Sequence, residues 1–351
     1  MVRNHRVGVA GLVHGHVWSL LRSWQQLPNV TVAAAADPHE ELRAQVKAEN
    51  GVTSLYESYA EMFEREDLNI VNCTTENARH AEVVEAAAAR GLHILVEKPM
   101  AASLAQADRM VAAASFAGVK LFVNWPSSWQ PPLQHAIKLA REGVIGQVYE
   151  ARYRGGHTGP RDIGASPYFY NWLYDARLNG GGASADYLGY GTGFVYDVLG
   201  MPSAVVGLAG RLVQDYITVD DNARMLLEYH RAMGLVEGSW TQARPLPGAA
   251  AICGTEGNLV VEYGGDLTLH RRGTSAPEPI AAPLLPEGAR SGPEAFLSAI
   301  MRDEPVEAPS SPLRGRDIQE VVEAGLQAIR TGRKVSLPLP LPLPQSFDGD
   351  S

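Results

Sequence analysis

A lysine follows the fourth of five short apolar runs in the first 125 residues of the chain. The run at 93–96, HILV, is typical of a buried strand in a parallel sheet, and Glu97, Lys98 and Pro99 come directly after it. Open α/β sheets bind ligands at the carboxyl ends of their strands. An ammonium group there can lie beside a cofactor ring and polarise a substrate oxygen. Lys98 is therefore the first catalytic candidate, the alternative being an ordinary surface lysine.

A glycine-rich segment follows the first apolar run and opens a helical pattern. With Gly11 as the first glycine of a dinucleotide-binding loop, the third position holds His16, unless Gly15 takes over in a rearranged turn. Backbone amides at such a helix start can bind a pyrophosphate. We expect five residues to form this phosphate loop: Gly11, Val13, His14, Gly15 and His16.

An acidic residue ends the second apolar run. Asp37 lies 26 positions after Gly11, where a carboxylate can accept hydrogen bonds from the ribose of adenosine. A turn or capping aspartate before Pro38 is the alternative. The next residues, His39, Glu40 and Glu41, offer no immediate arginine and add negative charge that would repel a 2′-phosphate. NAD is therefore favoured over NADP.

The composition is that of an ordinary globular protein. The chain has 351 residues, of which 45% are hydrophobic and 20% are charged. Because single hydrophobic cores stop growing at roughly 250 to 300 residues, we expect two domains. No apolar run approaches the roughly 20 residues that span a bilayer, and the first residues do not resemble an export signal. We expect a cytoplasmic protein that does not bind membranes.

Several classes of partner are disfavoured. The net charge of −9 argues against nucleic acid, since neutralising phosphates requires a basic surface. Cys73 and Cys253 lie far apart in apolar stretches, so we expect two core thiols and not a disulfide. His14 and His16 alternate as metal ligands can, but no neighbouring carboxylate or thiolate completes a shell. We expect no metal site.

The sequence pattern divides the chain into a part in which strands and helices alternate, a part rich in strands, and a proline-rich tail. Predicted strands at 6–10, 30–35, 69–73, 92–96 and 119–123 alternate with helical patterns such as 77–90 and 104–117, which predicts a parallel α/β sheet over residues 1–125. Residues 126–336 contain longer β-rich runs at 147–154, 204–213, 223–229, 233–240, 249–253, 259–263 and 267–271, which predict an antiparallel sheet. One face of that sheet is a candidate oligomer interface. Late helices are expected at 294–301 and 315–330, and the proline-rich residues 337–351 as an extended tail or an arm on a partner subunit.

The order of these motifs resembles the Gfo/Idh/MocA oxidoreductases, named for glucose-fructose oxidoreductase and inositol dehydrogenase. The similarity rests on the glycine loop, the acid after the second strand, the segment CTTENARH at 73–80, the Glu-Lys-Pro motif, and a triple glycine at 180–182 before Asp186. It implies an α/β fold with a Rossmann domain and a C-terminal α/β domain built on a large, open, mainly antiparallel sheet. It also implies homodimers or homotetramers that pack through this sheet, and oxidation or reduction of sugars and cyclitols with NAD(P). The cofactor contacts that it implies include Thr74, Thr75, Asn77, His80, Glu97 and Lys98.

Two departures from the family pattern concern the chemistry. The usual Thr-Pro-Asn run is Thr74-Thr75-Glu76-Asn77 here, and Tyr190 stands four positions beyond Asp186, where the family generally has histidine. Hydride transfer from a carbinol needs a proton acceptor and a positive group. Lys98, Asp186 and Tyr190 can divide these roles. The ammonium would favour a phenolate on Tyr190, while Asp186 either orients Lys98 or passes a proton itself.

An aromatic and polar segment at 154–175 is the candidate substrate wall. Sugars stack their C–H faces on aromatic rings and need polar groups for their hydroxyls. The candidates are His157, Trp172 and Asp175, with Asn124 and Trp125 at the end of the fifth strand.

Two other functions remain open from the sequence. A redox-neutral glycosidase or lyase would use bound NAD transiently and would need a further acid and base, for which His157 and Asp175 are candidates. A non-catalytic NAD or sugar sensor would act through a protein partner. The presence of both Lys98 and Asp186 argues against the sensor.

Overall fold

The computed structural model describes residues 4–244 and 246–340. The first part of the chain alternates strands and helices: β1 (His5–Ala10), α1 (Val17–Gln25), β2 (Val30–Ala36), α2 (Glu40–Asn50), β3 (Ser54–Tyr56), α3 (Tyr59–Arg65), β4 (Ile70–Cys73), α4 (His80–Ala88), β5 (His93–Glu97), α5 (Leu104–Ala117) and β6 (Leu121–Asn124). The six strands pair in parallel in the order β3-β2-β1-β4-β5-β6. Strands β4 and β6 are buried along their whole length, which explains their continuous apolar runs.

The sequence prediction of this sheet was right in kind and missed one strand. The edge strand β3 has three partly buried residues, so it leaves no apolar run to detect. The helix expected at 77–90 begins as a 3₁₀ turn at Asn77–Arg79 and continues as α4. Helix α5 has the predicted bounds, because Ser103 caps its first turn and Gly118 ends it with a left-handed backbone.

The remaining elements build a second sheet and its helices: α6 (Pro131–Arg141), β7 (Val148–Gly156), α7 (Pro167–Leu173), α8 (Ala176–Asn179), α9 (Ala183–Leu199), β8 (Ala204–Gly210), β9 (Asn222–Glu228), β10 (Met233–Ser239), β11 (Ala250–Gly254), β12 (Gly257–Val261), β13 (Leu267–Arg271), β14 (Glu278–Ile280), α10 (Gly292–Met301), α11 (Pro312–Thr331) and β15 (Val335–Ser336). The strand order is β14-β13-β12-β11-β7-β10-β9-β8-β15. The pairing is antiparallel except between β7 and β10, which are parallel. The predicted fold class, an α/β chain with a Rossmann sheet and a large, mainly antiparallel sheet, is confirmed.

Helix α9 packs across β7 and β10 on one face of the second sheet. Close approach requires glycine there, since a Cβ on Gly191 would collide with a methyl group of Val236. The opposite face carries apolar side chains in contact with water. Leu208 on β8 is 77% exposed and Leu226 on β9 is 49% exposed.

The late helices connect the second sheet to the first. Helix α11 packs on α5 and β8, and the Glu323 carboxylate accepts a hydrogen bond from the backbone of Leu104. After β15, the backbone of Leu337 donates to Ser203 and that of Leu339 to Glu320, so this part of the tail lies along the protein. The rest of the proline-rich segment lies outside the described residues. Within the described ranges, no helix combines the length and the apolar character that crossing a bilayer requires.

Candidate active site

Lys98 and Asp186 meet although 88 positions separate them along the chain. Lys98 follows β5 at the carboxyl edge of the parallel sheet, as expected. Asp186 lies in the first turn of α9, and the start of that helix is held by Asp220, whose carboxylate accepts from the backbone amides of Gly182 and Ser184. The Nζ atom of Lys98 lies 2.7 Å from Oδ1 of Asp186. The fold therefore places a buried ion pair between the two sheets.

The surroundings keep both members of this pair charged. Burial by itself would lower the pKa of Lys98, but the charge and hydrogen bond of Asp186 outweigh it, and the pKa of Lys98 is raised. Burial would likewise raise the pKa of Asp186, but the adjacent ammonium lowers it below its usual value. The other carboxylate oxygen accepts a hydrogen bond of 3.2 Å from the indole of Trp240, a contact that the sequence analysis missed.

Tyr190 occupies a position different from the one expected. The Lys98 ammonium lies over the face of its ring, 4.7 Å from the centroid. Loss of water around the phenol, together with the negative charges of Asp186 and Glu97, raises its pKa well above the usual value. Burial and these negative charges therefore oppose a phenolate on Tyr190, and a catalytic role for this residue stays a prediction.

A cavity of about 400 Å³ opens directly at the ion pair. Its wall combines the glycine loop, the end of β5, the loop after β7 and α9. Its polar and glycine lining includes Gly15, His16, Lys98, His157, Asp186 and Tyr190. Of the five substrate-wall candidates, His157 lies on this cavity.

The other four substrate-wall candidates have different contacts. Asn124 donates to the Glu97 carboxylate, and Trp125 is buried with its ring edge against Tyr190. Trp172 is buried beside His14, while Asp175 caps the short helix α8 and pairs with Arg177. These four residues are thus not among those that line the larger cavity, and their place in a substrate wall stays a prediction.

The glycine loop is held closely against the end of β4. Gly11 has a φ of +87°, and a Cβ there would come within 2.6 Å of the backbone nitrogen of Thr75. The hydroxyl of Thr74 donates to the carbonyl of Gly11 at 2.6 Å. Only glycine fits this conformation and this contact. The loop therefore has the tight turn that a dinucleotide needs at the start of a helix.

A second cavity, of about 160 Å³, lies on the other side of this loop. Its lining includes Gly11, Val13, Asp37, Pro38, Thr75 and Arg79. The Asp37 carboxylate accepts from the backbone amides of Leu12, at 2.6 Å, and His39, at 2.9 Å. The residues directly after Asp37 include no arginine, yet the fold brings Arg79 to this wall, and Arg43, six positions after Asp37, donates to the Asp37 carbonyl. Arg79 comes from a different element than Asp37, so spacing around Asp37 could not show that this positive charge lines the same cavity.

His16 and Glu97 form a second contact that the sequence concealed. Nδ1 of His16 lies 3.2 Å from the carboxylate of Glu97, and His14 is close enough that one ligand atom from each of the three residues lies within 4.8 Å of the others. The expectation that no carboxylate lies near the two histidines is therefore wrong, since folding closes a separation of 81 positions. The pKa of Glu97 is lowered despite its burial, chiefly by the charge of His16, with its hydrogen bond and Lys98 adding to the effect.

Three of the residues expected to contact the cofactor are fully buried within the protein. Thr74 bonds the glycine loop, Asn77 donates to Asn179, and the His80 ring lies between the carbonyls of Thr75 and Met100. The exposed fraction of Thr74, Asn77 and His80 is 0%. Their side chains are engaged by other parts of the protein, and cofactor contact by these three residues stays a prediction.

Helix α7, which follows β7 in the chain, covers the glycine loop. The Phe169 ring lies 4.8 Å from the His14 ring, and the Tyr168 ring lies 4.9 Å from that of His39. Aromatic density in this segment was visible in the sequence, but nothing in the pattern indicated that it would pack on the loop.

These features define a dinucleotide-binding Rossmann protein with a second, sheet-based domain. Residues 5–125 match the family model described as "Oxidoreductase family, NAD-binding Rossmann fold", and residues 133–260 match the "GFO/IDH/MocA C-terminal domain". The chain belongs to the Gfo/Idh/MocA family of oxidoreductases, as the motifs indicated.

Curated relatives include dehydrogenases of sugars and diols. The chain is 36% identical to D-apiose dehydrogenase of Paraburkholderia graminis over 38% of this chain and 35% of that protein. It is 28% identical to trans-1,2-dihydrobenzene-1,2-diol dehydrogenase of Mus musculus over 72% of each. The match thus spans about a third of the first relative and most of the second.

Solved structures share the fold at low sequence identity. The aldose-aldose oxidoreductase of Caulobacter crescentus, complexed with glycerol, has a TM-score of 0.81 at 24% identity and covers 95% of this chain and 100% of that chain. Levoglucosan dehydrogenase in complex with NADH and levoglucosan has a TM-score of 0.81 at 21% identity, covering 96% of this chain and 100% of that chain.

Proposed function

We propose that the protein is an NAD-dependent oxidoreductase that interconverts a hydroxyl and a carbonyl group on a sugar, sugar derivative or cyclitol. The observation that carries the proposal is the buried Lys98–Asp186 pair, which lies in one cavity with Gly15 and His16 at the end of the glycine loop. The names of the relatives support this substrate class, since they act on apiose, levoglucosan and dihydrodiols.

Lys98 is the proton donor and acceptor in this proposal. NAD, when bound, supplies or accepts a hydride. In the reductive direction, the Lys98 ammonium protonates the oxygen of the carbonyl as it becomes an alkoxide, and solvent then restores the proton on the amine. In the oxidative direction, the neutral amine accepts the hydroxyl proton. Asp186 orients Lys98 and keeps it charged, which was one of the two roles considered for it.

The proposed cofactor site runs from one side of the glycine loop to the other. Gly11, Val13, Asp37 and Thr75 line the smaller cavity and suit an adenosine moiety, while Gly15 and His16 border the larger one beside Lys98. The buried carboxylate of Asp37 supports NAD, because a 2′-phosphate would be repelled there. We assign cofactor binding to residues 1–125 and substrate binding and assembly to residues 126–336. The cytoplasmic location stays a prediction from the sequence.

The rival functions have less support. A redox-neutral glycosidase or lyase needs a further acid and base at the leaving group, and Asp175 is engaged with Arg177 on α8. A sensor would have no need for a lysine and an aspartate that are held charged in a cavity. The relatives supply named dehydrogenases and thus favour the redox reaction.

A substrate screen tests the proposal. The purified protein is incubated with sugars and cyclitols and with NAD or NADP, and the absorbance of the reduced nicotinamide is followed. Turnover of at least one polyol with NAD, lost in Lys98→Ala, supports the proposal. Release of an aglycone from glycosides without net NADH would favour the redox-neutral function. Tight NAD binding without turnover of any polyol would favour the sensor.

The exposed apolar face of the second sheet supports a homo-oligomer. Leu208, Leu212 and Val213 are 77%, 72% and 70% exposed and lie on or directly after β8. Exposed apolar patches of this kind mark protein interaction sites. We infer a homodimer or homotetramer packed through this face.

A further inference from the structure

In the proposed reaction, Lys98 is one hydrogen-bonding partner of the substrate oxygen. A second partner for this oxygen has not yet been assigned. The residue four positions after Asp186 is Tyr190, whose ring lies beneath the ammonium and whose phenol stays protonated. His157 reaches the same cavity from the loop after β7. It therefore comes from a different element than α9.

The backbone of His157 is held on both sides. Its amide donates to the carbonyl of Ser239 at 3.1 Å, and its own carbonyl accepts from the amide of Gln242 at 3.0 Å. Its ring packs edge-on against Tyr187, with 5.4 Å between the centroids. The side chain is thus positioned before any ligand arrives, which is the condition for a donor that acts without reorganisation.

One ring nitrogen of His157 already accepts a hydrogen bond within the protein. The backbone N–H of Gly159 donates to Nδ1 of His157 at 2.8 Å, and a backbone N–H can only donate. Nδ1 must therefore keep its lone pair, so the proton of the neutral ring lies on Nε2. Gly159 has a φ of +112°, a conformation that glycine adopts readily and that turns its amide back toward the ring.

Protonation of this ring is disfavoured. An imidazolium would put an N–H at Nδ1 against the N–H of Gly159. Burial lowers the pKa of His157, the charge of Asp186 opposes this, and the charge of Lys98 adds to it, with a net lowering. The charged groups that interact with the ring are Lys98 and Asp186, and the phenol of Tyr187 lies against it.

We propose that His157 is a further catalytic residue, which donates a hydrogen bond from Nε2 to the oxygen that Lys98 protonates, as a neutral imidazole and not as a base. This inference rests on the proposed function. It gives the cavity two N–H donors from two parts of the chain for the same substrate oxygen. The fixed ring thereby selects which hydroxyl or carbonyl oxygen of a polyol is placed at Lys98.

The tautomer is measured without turnover. The protein is labelled with ¹⁵N in its histidine rings, and the His157 signals are assigned by their absence in His157→Gln. We expect the shifts of a neutral ring with its proton on Nε2, unchanged between about pH 6 and 8, around the ordinary pKa of histidine. A ring with its proton on Nδ1, or one that becomes an imidazolium within this range, would overturn the assignment.

Kinetics test the role itself. With a polyol found by the screen, His157→Ala should lower kcat about 100-fold, the loss typical of one preorganised donor, with NAD affinity unchanged. His157→Gln, which keeps an N–H donor, should recover most of the rate with the same pH profile as the unsubstituted protein. His230→Gln, on the exposed β9–β10 turn, is the matched control and should change nothing.

A failure of the proposed function and a failure of the His157 assignment give different results. If the unsubstituted protein turns over no polyol, the proposed function is refuted. If it is active and His157→Ala is equally active, only the role of His157 is refuted. A limb of the pH profile that disappears in His157→Gln would show a base, and it would overturn the neutral-donor assignment.

Discussion

The Nζ atom of Lys98 lies 2.7 Å from Oδ1 of Asp186, and both side chains are at most 10% exposed. One residue ends a strand of the parallel sheet, and the other begins a helix that packs on the second sheet. Removing one partner of such a pair leaves an uncompensated buried charge. The pair is thus the element of the site most sensitive to substitution.

Lys98→Ala and Asp186→Asn should each abolish or strongly reduce turnover. The expected fall in kcat is about 10² to 10⁴-fold, which is the contribution of a positioned acid–base group. NAD affinity should be nearly intact, because the glycine loop is unchanged. Steady-state kinetics and titration calorimetry measure the two quantities, with Lys47→Ala on the exposed side of α2 as a control. Full activity in either site variant would refute the assignment.

Tyr190→Phe should keep most of the activity. The Lys98 ammonium contacts the ring face, which phenylalanine retains, and the hydroxyl stays protonated in the folded protein. Tyr190→Ala removes that ring and should lower both kcat and stability. The measurements are kcat across pH 6 to 10 and a thermal unfolding curve. A rate for Tyr190→Phe as low as that of Lys98→Ala would restore the phenolate hypothesis.

The pH dependence should differ between the two reaction directions. The folded pKa of Lys98 is raised above the ordinary value of about 10.4, so the amine is protonated at neutral pH. Reduction needs the ammonium, so its rate should stay level through neutral pH and fall only when the pH exceeds the pKa of Lys98. Oxidation needs the neutral amine, so its rate should rise as the pH increases toward that pKa. In Asp186→Asn the residual oxidation should rise at lower pH, because the carboxylate that raises the lysine pKa is gone. An unshifted limb in this variant would contradict Lys98 as the titrating group.

Asp37→Ser should weaken NAD binding and reduce the preference over NADP. The carboxylate fixes the backbone amides of Leu12 and His39, and its charge faces the proposed ribose site. We expect a loss of about tenfold in NAD affinity, equivalent to about 1.4 kcal/mol. Fluorescence titration with NADH and NADPH measures both constants, and Glu49→Gln on the exposed side of α2 serves as the control. Unchanged constants for both cofactors would remove Asp37 from the site.

Leu208→Glu should dissociate the proposed oligomer. Leu208 is 77% exposed on β8, and a charge there would be costly to bury in an interface. Phe116→Glu is the matched control, since Phe116 is 97% exposed at the end of α5, away from the sheet. Light scattering after size-exclusion chromatography gives the mass of each variant. An unsubstituted protein that runs as a monomer would refute the interface.

Local patterns were sufficient for most of the architecture. The strand after Leu92 and the helix between Ser103 and Gly118 were readable because apolar periodicity, caps and stops act within a few residues. The parallel pairing of β7 with β10 was not readable, because both orientations produce the same alternation along a strand. Edge strand β3 was missed because half-buried residues in a three-residue strand carry no pattern.

Side-chain contacts separate the predicted site residues that line the larger cavity from those that do not. Asn124 and Trp125 end a strand at the catalytic edge of the sheet, as Lys98 does, yet Asn124 bonds Glu97 and Trp125 packs on Tyr190. The spacing of strands in the sequence shows at which end of the sheet a residue lies. It does not show what the side chain of a residue after the strand contacts. The contact between Trp240 and Asp186 depends on two elements that only the tertiary structure brings together.

The sequence by itself determined the two-sheet architecture, the family, the turn at Gly11 and the position of Lys98 at the edge of the parallel sheet. Each of these depends on interactions between residues close together in the chain. The tertiary structure alone decided the protonation of Lys98, Asp186, Tyr190 and His157. Those states depend on which distant groups exclude water and place charge beside them, and both effects act through space.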